Sequence, residues 1–229
     1  MLWDERETAR AYNRWMSHND VLARHMRWNM GPAGIFLVNT PVIALAQTLA
    51  LRPEHRLLDL GCGRASVARF LSRRVGFRTP PVGLDVSTVM LRLARREDDR
   101  RAPVSLVGSS ASSLPFADNT FDFVIVAHVW KHLDDRALLH NLLEIERVLQ
   151  PGGSCIGWEF APRNSRALDR WNQAVLRCGT VKSVHLRGFH VLASAAIDAG
   201  FQEIRRLDLG LFLWPPIPRV AVRLYKSTG

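Results

Sequence analysis

The sequence predicts an α/β fold, in which a mainly parallel β-sheet is covered by helices on both faces. From residue 55 onward, short β-type runs alternate with helical patterns, as in parallel sheets whose strands are joined by helices. The runs are almost continuously apolar, as expected for strands buried on both faces. With 229 residues, 47% of them hydrophobic, the chain is long enough to bury one sizeable core.

The pattern of apolar residues in the first 50 positions predicts helices. Large apolar residues recur at helical spacing from Tyr12 to Met30. The glycines and the proline of residues 31–34 interrupt this pattern, and a second apolar helix is predicted over Pro41–Leu49. We therefore expect residues 1–52 to form an N-terminal helical cap or lid and residues 53–229 to form the main domain.

The main domain contains seven β-type runs. They are Arg56–Leu60, Val82–Val86, Val104–Val107, Phe121–Ala127, Ser154–Glu159, Gln202–Leu209 and Arg219–Tyr225. Helical patterns at about 64–75, 87–97 and 134–149 separate the first five runs, and another at about 189–199 precedes the last two. A polar, arginine-rich insert at about 161–190 interrupts the alternation.

The positive charge of the chain does not by itself indicate a nucleic-acid partner. The formal net charge is +10, but lysine supplies only three of the 31 basic residues, and the arginines are dispersed in short clusters. A basic stripe interleaved with aromatic residues, which would suit nucleic acid, is absent from the sequence. We expect a small-molecule acceptor and a protein that is a monomer or a homodimer.

Cysteine usage and hydropathy predict a cytoplasmic protein. Cys62, Cys155 and Cys178 have no C-x-x-C spacing, so neither a disulfide framework nor a thiolate zinc site is expected. The first residues carry charges where a signal peptide would be apolar. The longest apolar stretch, Ile35–Leu51, is too short and too often interrupted to span a membrane.

A glycine loop with flanking acidic residues is the strongest functional signal. Leu57–Ala65 reads LLDLGCGRA, in which a buried strand runs into a helix through Gly61 and Gly63. Glycines permit a tight turn and let backbone N–H groups approach a ligand, but this feature alone fits a dinucleotide dehydrogenase nearly as well. Asp59, at the end of the strand, would repel a pyrophosphate and could hold a cationic amino-acid group.

Asp85 provides the second acidic position. It ends the next predicted strand, 22 residues beyond Gly63, which is the separation expected for a carboxylate that accepts both ribose hydroxyls of a nucleotide. Asp85 could instead cap the following helix, but Ser87 is better placed for that role.

Four segments together resemble the class I S-adenosylmethionine-dependent methyltransferases, specifically the small-molecule type that includes ubiquinone and menaquinone C-methyltransferases. They are LLDLGCGRA at 57–65, VGLDVS at 82–87, SLPFADNTFDFVIVAHVWKHL at 113–133 and EIERVLQPGGSCIGWEF at 144–160. The resemblance implies a Rossmann-like seven-stranded sheet whose last strand is antiparallel. It implies S-adenosyl-L-methionine as the cofactor.

The resemblance also assigns the cofactor residues. It implies that the glycine loop lines the cofactor, that Asp85 binds the ribose and that the neighbours of the adenine come from the second strand and a later loop. The residues expected to contact the cofactor are Tyr12, Asp59, Gly61, Cys62, Gly63, Asp85, Val86, Met90, Ser110, Ala111, Ala127 and His128. Three positions depart from the family pattern, because Ser110 stands where an acid is usual, Ala65 replaces a third glycine and Arg64 replaces a small polar residue.

His128 and His132 are the candidate catalytic residues. They follow the fourth strand, at the edge where open α/β sheets bind ligands, and a histidine there could accept a proton from the acceptor. His132 could equally be a structural residue of the fold, and Tyr12 could be either an aromatic lid or a core residue. The i, i+4 spacing of the histidines permits metal binding, but no third ligand is evident, so we expect no metal.

The acceptor is expected to be a small lipophilic or aromatic metabolite, methylated on oxygen, carbon or nitrogen. Apolar segments at 35–51 and 211–222 favour a lipophilic acceptor. The resemblance implies that the insert at 161–190 determines substrate specificity. One alternative is a nucleic-acid methyltransferase, although Ala127–Trp130 lacks the usual Pro-Pro-aromatic segment. The other is a non-catalytic partner subunit that binds S-adenosylmethionine.

Overall fold

The computed structural model describes residues 3–31, 38–39, 42–97, 99–177, 184–210 and 217–229. Within these ranges the helices are α1 Trp3–Ser17, α2 Val21–Asn29, α3 Val42–Thr48, α4 Ser66–Val75, α5 Thr88–Arg96, α6 Asp135–Val148, α7 Arg166–Arg177 and α8 Phe189–Asp198. The strands are β1 Leu57–Leu60, β2 Val82–Asp85, β3 Ser105–Gly108, β4 Phe121–Ala127, β5 Leu149–Phe160, β6 Glu203–Arg206 and β7 Arg219–Tyr225.

The strands form one seven-stranded sheet in the order β3-β2-β1-β4-β5-β7-β6. Strands β1 to β5 pair in parallel, whereas β7 is antiparallel to both β5 and β6. The predicted α/β fold, with a seven-stranded sheet and an antiparallel last strand, is confirmed. The strand order reverses between β1 and β4, and open α/β sheets bind their ligands beside the carboxyl ends of the strands at such a point.

The sheet separates two hydrophobic cores. Side chains of a strand alternate between its faces, so neighbouring apolar residues of β1 and β4 enter different cores. One core is closed by α6 and α8 and contains Leu58, Val124, Leu142 and Leu192. The other is closed by α3 and α4 and contains Leu45, Leu57, Leu71 and Ile125.

The N-terminal segment contains two packed helices before residue 31 instead of one long helical pattern. The chain breaks after Ser17, and the Asp20 side chain begins α2 by accepting a hydrogen bond of 2.7 Å from the Ala23 amide. This N-cap satisfies one of the amides that a helix start leaves unpaired. Arg27 then donates to the Trp15 carbonyl at 3.2 Å, which ties α2 to α1.

Two strands differ in length from the prediction. Strand β5 begins at Leu149, five residues before the predicted Ser154, because Leu149 already pairs with Phe121 of β4 and the extra residues before Ser154 are taken up by a register shift. Strand β6 is confined to Glu203–Arg206, and its exposed side chains are those of an edge strand. Among the described helices, none is both long and apolar enough to cross a membrane.

Gly157 gives a direct test of the packing at the centre of β5. A Cβ atom at this position would lie 2.1 Å from Cη2 of Trp130, whose ring is buried and whose Nε1 donates to Asn141 at 2.9 Å. The buried, hydrogen-bonded Trp130 ring has little freedom to move away from an added methyl group. We therefore expect Gly157→Ala to lower the free energy of unfolding by at least about 1–3 kcal/mol, measured by chemical denaturation. Gly188→Ala is the control, because a Cβ there meets no atom within 4 Å. Equal losses for the two variants would contradict this account.

Candidate active site

The glycine loop turns tightly between β1 and α4. The amides of Gly61 and Cys62 both donate to the Leu84 carbonyl, at 2.7 and 2.9 Å, which fixes the loop against the end of β2. Gly61 has a φ of +74°, and a Cβ there would lie 2.2 Å from Cγ2 of Val129. Gly63 has a φ of +53°, and a Cβ there would meet no atom within 4 Å, so the backbone borders open space. The positive φ therefore favours glycine at both positions. Only at Gly61 would a side chain also collide with a neighbouring residue.

Asp85 connects the glycine loop to the end of β2. Its Oδ2 accepts a hydrogen bond of 2.8 Å from the Gly63 amide, and its Oδ1 accepts one of 2.7 Å from the Ser87 amide. Ser87 is the N-cap of α5, as predicted, and its Oγ accepts from the Met90 amide. Burial raises the pKa of Asp85, and the two amides oppose that shift. The carboxylate is thus held in a fixed orientation beside the loop.

Asp59 is the buried acid that precedes the glycine loop. Only 2% of its surface is exposed, and its Oδ2 accepts one hydrogen bond, of 3.2 Å, from the Ala68 amide. Burial raises the pKa of Asp59 to about 7, and the nearby Asp85 carboxylate adds to the effect. A carboxyl group with this pKa gains a proton or loses it in response to a single nearby charge.

A cavity of about 340 Å³ lies at the carboxyl ends of β1, β2 and β4. The predicted site residues that line it are Tyr12, Asp59, Gly61, Cys62, Gly63, Asp85, Val86, Met90, Ala111, Ala127, His128 and His132. Ser110 does not line the cavity, although Ser109 and Ala111 on either side of it do; its Oγ accepts from the Ser112 amide at 3.0 Å. The structure thus brings almost all of the predicted residues to one place, and their roles stay predictions.

His128 has an unusual backbone conformation at the end of β4. Its φ is +58°, a left-handed value that strains a residue other than glycine and that recurs at functional sites. The amide of His128 donates to the Trp158 carbonyl at 3.0 Å, and the ring stacks on Phe160 with centroids 4.5 Å apart. These contacts with β5 hold the side chain at the wall of the cavity.

The two ring nitrogens of His128 differ in their surroundings. Nδ1 lies 3.3 Å from Oε1 of Glu159, whereas Nε2 is buried and has no hydrogen-bond partner among the described residues. Burial lowers the pKa of His128 to about 4, although Glu159 opposes the shift. The imidazole is therefore neutral near pH 7. If Nδ1 carries the proton and donates to Glu159, Nε2 is left as a hydrogen-bond acceptor.

Glu159 is the functional residue that the sequence reasoning missed. It is 1% exposed, and it accepts hydrogen bonds from the amides of Lys131 at 3.0 Å and Phe160 at 2.8 Å. Burial disfavours its charge, but Lys131, His128 and the amides outweigh burial and lower the pKa of Glu159 to about 2. An acid near the end of the apolar segment SCIGWEF was the available signal.

The N-terminal helix reaches the site through Tyr12. The hydroxyl of Tyr12 lies 3.1 Å from Nε2 of His132, and its ring packs edge-on against the rings of Trp15 and His132. Burial and the nearby Lys131 charge lower the pKa of His132 well below its ordinary value. His132 thus bonds to the helical cap, whereas Nε2 of His128 has no hydrogen-bond partner among the described residues.

The residues present fit an adenosine cofactor that carries a cationic group. The fixed carboxylate of Asp85 would accept from ribose hydroxyls, the side of Gly63 that a Cβ would occupy is open, and Asp59 has a carboxyl group that a nearby cation would ionise. The thiol of Cys62 is no candidate nucleophile, because burial raises its pKa well above the ordinary value. Fold and site together define a Rossmann-like enzyme that binds an adenosine cofactor beside the carboxyl ends of its central strands.

Comparison with known proteins identifies the family. The family described as "Methyltransferase domain" matches residues 58–157, which run from β1 into β5. A 2-phytyl-1,4-naphtoquinone methyltransferase of Thermosynechococcus vestitus is 32% identical over 177 residues, which cover 75% of this chain and 70% of that protein. A demethylmenaquinone methyltransferase of Staphylococcus saprophyticus is 36% identical over 106 residues, and the matched part covers 46% of this chain and 45% of that protein.

The chain belongs to the class I S-adenosylmethionine-dependent methyltransferases, and within them it resembles the quinone methyltransferase group. It is accordingly a methyltransferase enzyme with S-adenosylmethionine as its cofactor. A solved S-adenosylmethionine-dependent methyltransferase of Methanosarcina mazei has the same fold, with a TM-score of 0.66 over 80% of this chain and 98% of that one. Because that solved protein is only 20% identical in sequence to this chain, its similarity shows the fold alone.

Proposed function

We propose that this enzyme methylates a small lipophilic aromatic acceptor that carries an ionisable hydroxyl group, such as a hydroquinone. The observation that carries the proposal is the wall of the cavity at the ends of β4 and β5. There His128 lines the cavity in its neutral form and stacks on Phe160, and its buried Nε2 atom has no hydrogen-bond partner among the described residues. The apolar residues that line the cavity include Trp15, Met26, Met30, Val38, Phe160, Val175 and Leu176. The names of the two curated relatives, which are quinone methyltransferases, support the same acceptor class.

In this proposal, Asp85 binds the ribose hydroxyls and Asp59 faces the cationic amino group of the cofactor. When bound, S-adenosylmethionine supplies an activated methyl group on its sulfonium, and the cavity must hold the acceptor in line with it. The cofactor would thereby give its methyl carbon to the acceptor oxygen or ring carbon, the bond from sulfur to that carbon being the one broken, and a neutral thioether would remain. Nε2 of His128 takes the proton that the acceptor loses.

Glu159 acts on the reaction through His128. By accepting the Nδ1 proton, it fixes the tautomer in which Nε2 is unprotonated, and its charge stabilises the imidazolium that forms. The positive charge of Lys131, 3.9 Å from Oε1 of Glu159, keeps this carboxylate ionised despite its burial. Glu159 is therefore a positioning residue, and His128 is the proposed base.

The remaining predicted assignments are also part of the proposal. Residues 1–52 act as a lid over the cofactor, and the insert at 161–190 covers the acceptor; both segments contribute residues to the cavity lining. A cytoplasmic location is supported by Cys62 and Cys155, which are buried free thiols. The oligomeric state is proposed to be a monomer or a homodimer.

Production of S-adenosylhomocysteine tests the proposed function. The full chain is incubated with S-adenosylmethionine and a panel of reduced naphthoquinones, catechols and oligonucleotides. S-adenosylhomocysteine and any methylated acceptor are followed by mass spectrometry. We expect S-adenosylhomocysteine together with a methylated aromatic product from at least one hydroquinone. Cofactor binding without turnover of any aromatic acceptor would contradict the proposal and favour a non-catalytic subunit. Methylation of oligonucleotides alone would favour a nucleic-acid enzyme.

The pKa of Asp59 predicts a pH-dependent affinity for S-adenosylmethionine. A carboxyl group with a pKa of about 7 is largely protonated at lower pH, and the cation must then displace that proton to bind. The cofactor's charge lowers the pKa in the complex, so the affinity rises as the pH rises toward and above 7. We expect binding to be about tenfold weaker at roughly pH 6 than at roughly pH 7.5, measured by calorimetry in buffers of different ionisation enthalpy.

Asp59→Asn is the matched control for this prediction. Its neutral amide keeps the shape of the carboxyl group but cannot ionise, so the affinity should be low at both pH values and the release of a proton on binding should disappear. The same pH dependence in Asp59→Asn as in the unaltered protein would show that another group is responsible.

A further inference from the structure

Helix α7 exposes an apolar stripe on the surface of the molecule. Leu168, Trp171 and Val175 are 47%, 69% and 44% exposed, and their i, i+3, i+7 spacing places them on one face of the helix. Most large apolar side chains of this protein are buried, so a stripe that contains a tryptophan exposed to this extent marks a contact surface.

Arginines accompany this stripe. Arg166, Arg170 and Arg177 are exposed and, at 100° per residue, lie together roughly 150° around the axis of α7 from the stripe, with the exposed Ala167 and Ala174 between the two rows. Asp169, the acid of the helix, points elsewhere, because its Oδ1 accepts a hydrogen bond of 2.7 Å from the Arg163 amide. A helix with an apolar row that contains tryptophan on one face and a basic row on the other is typical of helices that lie in the interface of an anionic membrane.

The stripe is continuous with the active-site cavity. Val175 of the stripe and the adjacent Leu176 line the cavity, and Leu176 packs against the same apolar cluster as Met26 of α2 and Met30, the C-cap of that helix. Helix α2 also lines the cavity, and it exposes Val21 and Trp28, which are seven residues apart and so share a face. Two helices that border the same cavity thus each present an exposed tryptophan.

We propose that α7, together with Trp28 of α2, docks on the surface of an anionic lipid bilayer. The apolar side chains insert at the level of the headgroups, while the arginines bind the lipid phosphates. The net charge of +10 favours the same surface. A lipophilic acceptor would then pass between the bilayer and the cavity along Val175. That last step rests on the proposed function, whereas docking itself does not.

Vesicle binding tests the docking surface without any cofactor or acceptor. The full chain is sedimented with vesicles of phosphatidylcholine, with or without phosphatidylglycerol, over a range of salt concentrations. We expect binding only when phosphatidylglycerol is present, and weaker binding as salt increases. Leu168→Ser combined with Trp171→Ser should weaken binding by about tenfold or more. Neither residue lines the cavity, so the double variant should bind S-adenosylmethionine and fold as the unaltered protein does.

Ile197→Ser is the matched control, because Ile197 is a 61% exposed apolar residue of α8 that does not line the cavity. Equal vesicle binding by this control and by the double variant, or binding that does not need phosphatidylglycerol, would overturn the proposal. Absence of vesicle binding, with a dimer in light scattering that the double variant loses, would assign the stripe to a second copy of the chain. Vesicle binding without any methylation of hydroquinones would leave docking supported and refute the proposed acceptor.

Discussion

Replacing His128 with asparagine is expected to lower kcat about a hundredfold to a thousandfold and to leave the affinity for S-adenosylmethionine nearly unchanged. The reason is that the amide of asparagine cannot accept the acceptor's proton at neutral pH, whereas Nε2 of neutral His128 can. Steady-state kinetics with the best hydroquinone, together with calorimetric binding of the cofactor, would measure the two quantities separately.

Asparagine is the informative substitution at this position. It tolerates the left-handed backbone at φ +58° better than other residues, and its side-chain amide can still donate to Glu159. The free energy of unfolding should therefore change by no more than about 1 kcal/mol, so a loss of activity would not reflect misfolding. An unchanged kcat in His128→Asn would mean that placement of the acceptor is sufficient and that His128 is only a wall of the cavity.

The role of Glu159 can be separated from a purely structural one by the pH profile. Because the pKa of His128 is about 4, kcat at saturating S-adenosylmethionine should stay level through the neutral range and fall only as the pH approaches that value. Glu159 raises the pKa of His128, so removing its charge in Glu159→Gln should move the acidic fall in rate to lower pH. A structural role alone would lower the rate at every pH without moving the profile.

Asp85→Ala is expected to weaken binding of S-adenosylmethionine by about a hundredfold or more. Two hydrogen bonds from ribose hydroxyls to a carboxylate contribute about 1.5–3 kcal/mol each, and both are lost. The carboxylate is already oriented by the Gly63 and Ser87 amides, so the substitution also releases the loop that borders the cofactor. Isothermal titration calorimetry and the cofactor-induced rise in Tm would both report the loss.

Two further variants make the Asp85 result specific. Asp85→Asn keeps the shape and one acceptor oxygen, so its affinity should fall between those of Asp85→Ala and the unaltered protein. Asp99→Ala is the control, because this surface acid also accepts a backbone amide, that of Arg101, but lies outside the cavity lining. If Asp85→Ala bound and turned over the cofactor normally, the assignment of the ribose site would be wrong.

The central strands were predictable because both of their faces are buried. Val82–Asp85 and Phe121–Ala127 agree with the predicted runs to within one residue, since a mostly apolar run between turn signals leaves little choice of structure. The edge strand β6 was harder, because exposed side chains carry no hydrophobic pattern that marks an end. The break between α1 and α2 depends on Asp20, whose capping role is recognised only when the next turn is known to be helical.

The site was predictable to the extent that its residues are close in sequence to the ends of strands. The glycine loop, Asp85 and His128 all follow strands whose carboxyl ends meet at one edge of the sheet, so pattern and topology suffice to bring them together. Glu159 and Lys131 could not be predicted in this way, because the proposed role of each depends on its contacts with the other and with His128. Such a cluster joins residues about 30 positions apart, and a single sequence gives no measure of that proximity.

The hydroxyl of Ser87 has a consequence for the timing of turnover. While it caps α5, it also donates to Oδ1 of Asn13 on α1 at 2.7 Å, and Tyr12, the preceding residue, is bonded to His132. Adjacent residues of one helix thus hold both the nucleotide end and the methyl-transfer end of the crevice. Movement of α1 away from the crevice would break both hydrogen bonds, so the two anchors slow the exchange of spent for fresh cofactor.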